Sequence, residues 1–314
     1  MDPLLVLVEG RGFFTRAEAL DTGVHPRHFA RHLRDRVWVR IRRGYYTFGH
    51  LWDAMDEVQQ HRARARSVLH SLGDGVCLSH VSSLVEQEVK TRGMPLDRVH
   101  VTRLDGRSGR VEGDVVHHVG HVAPEDIVLV NGLKVMVAER AVIEAASRAT
   151  SESALVAFDS SLNRGLMNYD QLGRRFDSMK DWPHTQHLHV PIPLADAGAE
   201  SPGESRGRWL CWVFHLPRPQ TQFEVHDDNG QLVGTCDWGW VEDAALGEFD
   251  GRVKYGRLLK PGQDPGSVVF AEKQREDRLR ETTGFTVVRL TWGDFERPRV
   301  TAARIERALR RRGA

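Results

Sequence analysis

Residues 13–49 read FFTRAEALDTGVHPRHFARHLRDRVWVRIRRGYYTFG. The first part predicts a short helix, because Thr15 precedes Glu18 at the spacing of a capping box. The turn residues up to Gly23 end this helix, and Pro26 favours the start of a second helix, which carries basic residues. The sequence therefore predicts two helices joined by a turn.

The same segment ends in a predicted β-hairpin. Val37, Val39 and Ile41 recur with period two against Arg40 and Arg42, and the chain turns at Gly44 before two tyrosines. Two helices and a hairpin in this order form a winged helix-turn-helix, whose second helix enters the DNA major groove while the wing contacts phosphates. The other interpretation is a small helical domain with a solvated basic face. The winged helix assigns DNA binding to Arg27, Arg31, Arg34, Arg40, Arg42 and Arg43.

The distribution of charge favours DNA binding. The chain has 314 residues and a formal net charge of +1, so its overall composition is not that of a basic protein. Residues 1–50 nevertheless hold nine arginines against five acids, and the remainder is slightly acidic. A local excess of basic residues is typical of a nucleic-acid-binding module.

The N-terminal segment also resembles a known family. Trp38, Arg40, Arg43, Gly44 and Tyr46 match the wing pattern W-x-R-x-x-R-G-x-Y of the AbiEi-type antitoxins. Later stretches, such as LSHVSSL and GLKVMVAERAVIEAA, resemble the central part of the same proteins. The resemblance implies binding to promoter DNA and, for an antitoxin, a toxin encoded nearby as a partner.

Residues 51–189 predict a central α+β domain. Helical periodicity alternates with β-branched runs such as RVHVTRL, GDVVHHV and GLKVMVA, and Ser79 is a candidate helix cap. Two groups of histidines have no cysteines nearby, so they are expected to be solvated or structural rather than metal ligands. These are His117, His118 and His121, and His184, His187 and His189.

The C-terminal third predicts a separate domain. Residues 190–203 are rich in Pro, Ala and Gly and predict a linker. Residues 204–314 then predict a helix, three strands, a helix and a strand, with a hairpin turn at Asn229 and Gly230. This order favours a mixed sheet with helices packed against it.

Acids stand on the predicted strands of that domain, in CDWGWVEDAALGEFDGRVKYG at residues 236–256. Asp237 and Glu248 fall on neighbouring strands, so their carboxylates are expected to converge on one Mg²⁺ or Mn²⁺ ion. Glu204 on the preceding helix is a third acid, and Lys254 adds a cation. Such a site predicts cleavage of a DNA phosphodiester, with Asp237 and Glu248 as metal ligands. Solvation of the acids is the alternative.

This arrangement resembles the PD-(D/E)XK nuclease superfamily, near the very-short-patch repair endonucleases. The stretches CDWGW, EFDG, EKQREDRLR and GFTVVRLTW carry the resemblance, which implies a restriction-endonuclease-like fold with Asp237 and Glu248 as metal ligands and Glu204 as the helix acid. One position departs from the pattern, because Asp250 stands where the superfamily has a lysine. The basic role then falls to Lys254 or Lys273, or is absent.

Together these observations predict a multidomain α+β and α/β protein with a winged helix (1–50), a central α+β domain (51–189), a linker (190–203) and a restriction-endonuclease-like mixed-sheet domain (204–314). Its predicted function is metal-dependent DNA cleavage. The alternative is a non-catalytic regulator or antitoxin of a type IV toxin-antitoxin system with a degenerate nuclease fold. Double-stranded DNA, a toxin and a second copy of the chain in a homodimer are the expected partners.

Other features bound the location and the cofactors. Three scattered cysteines without a CxxC spacing argue against a disulfide framework or a zinc ribbon, and they favour a reducing cytoplasm. The opening MDPLLVLVEG lacks the charge and length of a signal peptide, and no run reaches a membrane-spanning length. The sequence holds no P-loop motif, so ATP use is not expected.

Overall fold

The computed structural model describes residues 2–251, 274–275 and 278–310. The chain divides into two units. The first comprises residues 1–157 and 166–190, and the second comprises residues 158–165 and 191–314. The predicted winged helix and central domain belong to the first unit, except for residues 158–165 of the central domain, which belong to the second unit. Helices long and apolar enough to span a bilayer are absent from the residues that the structure describes.

The N-terminal part of the first unit has the order predicted for a winged helix. Thr15 and Glu18 form both hydrogen bonds of a capping box, and Gly44 turns the wing with φ +85°. The elements are helix Pro3–Arg11, β1 (Phe14–Thr15), helix Arg16–Asp21, helix Pro26–Arg34, β2 (Trp38–Arg42) and β3 (Tyr45–Phe48). The strands pair in the order β1-β3-β2.

An aromatic core holds the second helix of this module, Pro26–Arg34, against the wing. Phe29 is the buried residue of that helix. Its ring lies 5.2 Å from the Trp38 ring and 4.8 Å from the Tyr46 ring, both in edge-on contact. Because Phe29 faces inward, the arginines on either side of it point to solvent. We call Pro26–Arg34 the recognition helix.

The rest of the first unit is built on a six-stranded mixed sheet in the order β6-β7-β5-β4-β9-β8. The α+β prediction is confirmed. Ser79 takes the predicted N-cap position of the helix His80–Glu86, although its side chain makes no capping hydrogen bond. The strands are β4 (Val76–Leu78), β5 (Val99–Arg103), β6 (Arg110–Glu112), β7 (Val115–His118), β8 (Ile127–Val130) and β9 (Leu133–Met136). The helices are Gly49–Ala54, Glu57–Leu72, His80–Glu86, Ala138–Ala146, Ser151–Asn163, which continues into the second unit, and Tyr169–Met179.

The second unit contains a four-stranded sheet. The strands are β10 (Gln220–His226), β11 (Leu232–Trp240), β12 (Ala245–Asp250) and β13 (Thr286–Thr291). In the described residues they pair in this order, antiparallel except for the parallel pair β12/β13. The predicted hairpin turn lies between β10 and β11, with Gly230 at φ +76°. The helices are Pro191–Leu194, Pro202–Val213 and Pro298–Leu309, and residues 274–275 and 278–283 are also helical.

The segment predicted as a linker, residues 190–203, is folded. It contains the helix Pro191–Leu194, and Ala195 and Ala199 are buried. The next helix starts at Pro202 with Ser201 as its cap, so it already includes Glu204 in its first turn. The small residues that suggested a linker are instead suited to close packing.

Close packing also fixes the helix Pro202–Val213 on the sheet. A Cβ added at Gly207 would overlap the Trp238 indole, and one at Gly203 would overlap the Phe249 ring. Trp238 is only 1% exposed. Glycine at these two positions therefore lets the helix backbone approach the aromatic side chains of β11 and β12.

Candidate functional site

The recognition helix presents arginines to solvent. Arg27, Arg31 and Arg34 are exposed and recur at a spacing of three or four residues, which places them on one helix face. Arg27 contacts the His25 ring, and Arg34 lies 3.4 Å from a carboxylate oxygen of Asp35. The Arg31 side chain has no partner within the described ranges, so its charge is available to a ligand.

The wing contributes two further exposed arginines, Arg40 and Arg43. Arg42 differs from the other predicted DNA contacts. Its guanidinium lies 5.6 Å from the centre of the Tyr45 ring, and its Nη1 is 3.5 Å from the carbonyl oxygen of Ser67 in the helix Glu57–Leu72. Arg42 therefore packs within the first unit, and five of the six predicted arginines offer their charge to solvent.

The module contains a matched arginine with a different environment. Arg36 lies between the recognition helix and the wing and is exposed, but it forms a two-point ion pair with Asp53, the closer contact being 2.6 Å. The Arg36 guanidinium lowers the pKa of the Asp53 carboxyl through this hydrogen bond. Arg36 is thus engaged within the protein, unlike Arg31.

Asp237 and Glu248 lie side by side in the second unit. The antiparallel register pairs Trp238 with Gly247, which brings Asp237 opposite Glu248. Asp237 accepts a hydrogen bond from the backbone N–H of Phe249 at 2.6 Å. Burial raises the pKa of Asp237, and the charge of Glu248 raises it further.

Glu248 is not a free carboxylate in this arrangement. It accepts a hydrogen bond from Arg275, and Arg289 Nη2 lies 3.3 Å from its other oxygen. Arg275 and Arg289 were not among the site residues predicted from the sequence. Their signal was the basic run EKQREDRLR, which contains Arg275, and the strand TVVRLT, which contains Arg289.

We call Asp237, Glu248 and Glu204 the acidic cluster, although among the described residues their three carboxylates do not lie close enough together to form one group of metal ligands. Glu204 is 5% exposed, and its Oε2 accepts the backbone N–H of Glu200 at 2.9 Å, with Gln222 Nε2 at 3.4 Å. Burial raises the pKa of Glu204 to about 7, and the charge of Asp237 also raises it. Cation binding would relieve this charge crowding.

Glu204 differs from the other buried acids in its partners. Six acids are buried among the residues that the structure describes, and five of them pair with an arginine. The paired acids are Glu86, Asp126, Glu144, Asp159 and Glu248. Only Glu204 has no basic partner within those residues. Lys254 and Lys273, the predicted basic residues, lie outside the described residues.

Three histidines that the sequence reasoning did not group come together in the first unit. In the described part of the chain, His80, His100 and His118 are the group of three or more His, Cys, Asp or Glu residues close enough to share a metal ion. His118 belongs to a group declined as a metal site, whereas His117 on the same strand is buried with an unpartnered Nδ1 and His121 is exposed. The trio joins residues that are far apart in sequence.

Comparisons with known proteins confirm the likeness of the N-terminal segment. Residues 2–49 match a family model described as "Transcriptional regulator, AbiEi antitoxin". Two relatives from Mycobacterium tuberculosis, the uncharacterized proteins MT2308 (strain CDC 1551 / Oshkosh) and Rv2248 (strain ATCC 25618 / H37Rv), are each 30% identical over 121 residues. The match covers 38% of this chain and 41% of each relative, so it spans less than half of their length.

One solved structure is similar to a larger share of the chain. The crystal structure of the RV2827C protein from Mycobacterium tuberculosis aligns with 71% of this chain and 82% of that one, at 14% sequence identity and a TM-score of 0.38. A likeness at this level carries no argument about fold or function.

Proposed function

We propose that the protein is a transcriptional regulator that binds double-stranded DNA through its winged helix. The observation that carries the proposal is the set of five exposed arginines on the recognition helix and the wing. Arginine at these two places suits the two tasks of such a module, since a bidentate guanidinium reads guanine in the major groove and wing charges hold phosphates. The match of residues 2–49 to a family of transcriptional regulators supports the same function.

The family description extends the proposal to a protein partner. Because that family is described as an antitoxin, a toxin encoded nearby is the partner to seek. The homodimer stays a prediction, to be examined by the stoichiometry of the DNA complex.

A selection experiment tests the regulator proposal. The full-length chain is incubated with a pool of random-sequence duplexes, and bound DNA is recovered and sequenced. A regulator should enrich one site and bind it at least about 10³-fold more tightly than random duplex. Arg31→Ala should weaken binding to that site, whereas Arg36→Ala should bind it normally. Failure to enrich any site would contradict the proposal.

A second candidate function rests on the unpaired buried acid. Metal-dependent DNA cleavage by the second unit is supported by Glu204, which has no basic partner within the described residues, and by the neighbouring Asp237 with its raised pKa. Asp237 and Glu204 would hold a Mg²⁺ or Mn²⁺ ion, because hard carboxylate oxygens suit these ions. When bound, such an ion activates a water and neutralises charge that develops on the phosphate.

The remaining residues fit this second function less directly. Glu248 is balanced by Arg275 and Arg289, so it would act as a third ligand only after the Arg275 side chain moves away. Asp250 occupies the position at which the nuclease pattern has lysine. Arg275 would then supply the positive charge beside the reacting phosphate, and the role of Lys254 stays a prediction.

Plasmid nicking tests the second function. Supercoiled plasmid is incubated with the full-length chain and Mg²⁺ or Mn²⁺, and the relaxed product is measured on a gel. Nicking should be lost in Asp237→Asn and Glu204→Gln and retained in Glu224→Gln, which alters an exposed acid on β10 of the same sheet. If the unaltered chain does not nick with either ion, the endonuclease is ruled out and the regulator remains.

A further inference from the structure

Three imidazoles meet beside the central sheet of the first unit. His100 lies on β5 and His118 on β7, two strands that pair in parallel, and His80 is the first residue of the helix His80–Glu86. His100 Nδ1 is 2.9 Å from His118 Nε2, and the rings of His80 and His118 stack with centroids 3.7 Å apart. One ring nitrogen from each residue lies within 4.8 Å of the other two.

These distances are close to those of a shared metal ion. Two nitrogens that each lie about 2.1 Å from one tetrahedral Zn²⁺ are separated by roughly 3.4 Å. The observed separation between His100 and His118 is within about half an ångström of that value. A small outward movement of the rings would therefore give ligand geometry.

The surroundings of His80 resemble the outer shell of a metal ligand. Its Nδ1 lies 3.4 Å from Glu144 Oε2 and 3.1 Å from Ser79 Oγ. Glu144 is itself fixed by Arg140, whose Nε donates to it at 2.9 Å. A carboxylate on one ring nitrogen orients an imidazole and leaves the other nitrogen for the ion.

Two of the three histidines, His80 and His100, also border a cavity of about 460 Å³. Three protein ligands with solvent-accessible space beside them are the arrangement that leaves one coordination position open. Arg98, Arg148 and Asp97 also line this space, so its basic side chains outnumber its one acid and suit a small anion at that position.

We propose that His80, His100 and His118 bind one divalent transition-metal ion of the Zn²⁺ type, with its fourth position open to the cavity for water or a small anion. Imidazole nitrogens suit Zn²⁺ and its neighbours in the first row, rather than the Mg²⁺ expected at carboxylates. The site therefore differs in chemistry and in location from the acidic cluster of the second unit.

Metal titration of the full-length, tag-free chain tests this proposal. After treatment with a chelator, the chain should take up one equivalent of Zn²⁺, measured by elemental analysis after dialysis. With Co²⁺ it should develop the visible absorption of a four- or five-coordinate ion. His100→Ala and His118→Ala should lose the bound ion, and Glu144→Gln should weaken binding by about 10–100-fold.

Two control variants make the result decisive. His121→Ala removes an exposed histidine three residues after His118 and should keep the ion, as should Asp237→Asn in the acidic cluster. Circular dichroism checks that the variants fold, and the Co²⁺ spectrum of the unaltered chain needs no variant. Uptake below one equivalent, a pale octahedral Co²⁺ spectrum, or equal uptake by His118→Ala and His121→Ala would overturn the proposal.

Discussion

DNA binding by the winged helix should weaken steeply as salt is added. Each arginine that meets a phosphate releases a counterion, and the slope of log K against log salt is about −0.9 per contact. If all five exposed arginines contact phosphates, the slope is about −4.5 and affinity falls by about 500-fold between 50 and 200 mM salt. These residues are Arg27, Arg31, Arg34, Arg40 and Arg43.

Single substitutions should reduce this slope in steps. Arg31→Ala and Arg43→Ala each remove one exposed charge, so each slope should fall in magnitude by about 0.9. If the contact vanishes near 1 M salt, each variant binds about eightfold more weakly at 0.1 M. Arg36→Ala is the matched control, because the Arg36 guanidinium is held by Asp53. Arg42→Ala should also change the slope little, since Arg42 packs on Tyr45.

Fluorescence anisotropy of a labelled random-sequence duplex measures the slope. The titration is repeated at five salt concentrations for the unaltered chain and for each variant, and circular dichroism confirms that the variants are folded. Slopes for Arg31→Ala and Arg43→Ala that equal that of Arg36→Ala would refute the assignment of phosphate contacts to the recognition helix and wing.

Three further predictions concern stability. Gly207→Ala should lower the free energy of unfolding by about 1–3 kcal/mol because its Cβ overlaps an indole, while Gly173→Ala, with open space around it, should raise it by up to about 1 kcal/mol. Urea unfolding measures the free energy of unfolding of both variants, and a change of the same sign in Gly207→Ala and Gly173→Ala would contradict the packing argument. Burial lowers the pKa of His61 from 6.5 to about 4. Between these pH values the unfolded chain therefore binds more protons than the folded chain. The free energy of unfolding should then fall by up to about 3 kcal/mol as the pH is lowered from 6.5 to 4. Thermal melts of His61→Gln should show a smaller loss over that window than the unaltered chain, and parallel curves would exclude His61. Arg208→Met should cost about 3–5 kcal/mol because it leaves Asp159 buried without its partner, and adding Asp159→Asn should recover part of the loss in the same urea assay.

The winged helix could be predicted because its signals are local. A capping box, a proline at the start of a helix and a glycine with positive φ each act within a few residues, and the structure has all three at Thr15, Pro26 and Gly44. The hairpin turn at Gly230 is local in the same sense. Where a few neighbouring residues determine the backbone, the sequence is sufficient.

The candidate sites depend on contacts that the sequence does not express. His80, His100 and His118 meet only because β5 and β7 pair in parallel beside the helix that His80 begins. Arg275 reaches Glu248 across 27 positions of the chain. Such partners are determined by tertiary packing. A sequence pattern therefore identifies side chains that could bind a metal ion, but it does not show which of them already pair with an opposite charge.

The two proposed functions assign DNA to different units, and their variants separate them. A regulator needs only the arginines of the first unit, so Asp237→Asn should leave the salt slope unchanged even if it abolishes nicking. Arg31→Ala instead weakens DNA binding by the winged helix and leaves the acids of the second unit unaltered. If nicking continues unchanged when Arg31→Ala has lost affinity, the second unit must bind DNA through its own residues. If nicking falls in proportion to affinity, the winged helix delivers the DNA that the acids at Glu204 and Asp237 cleave.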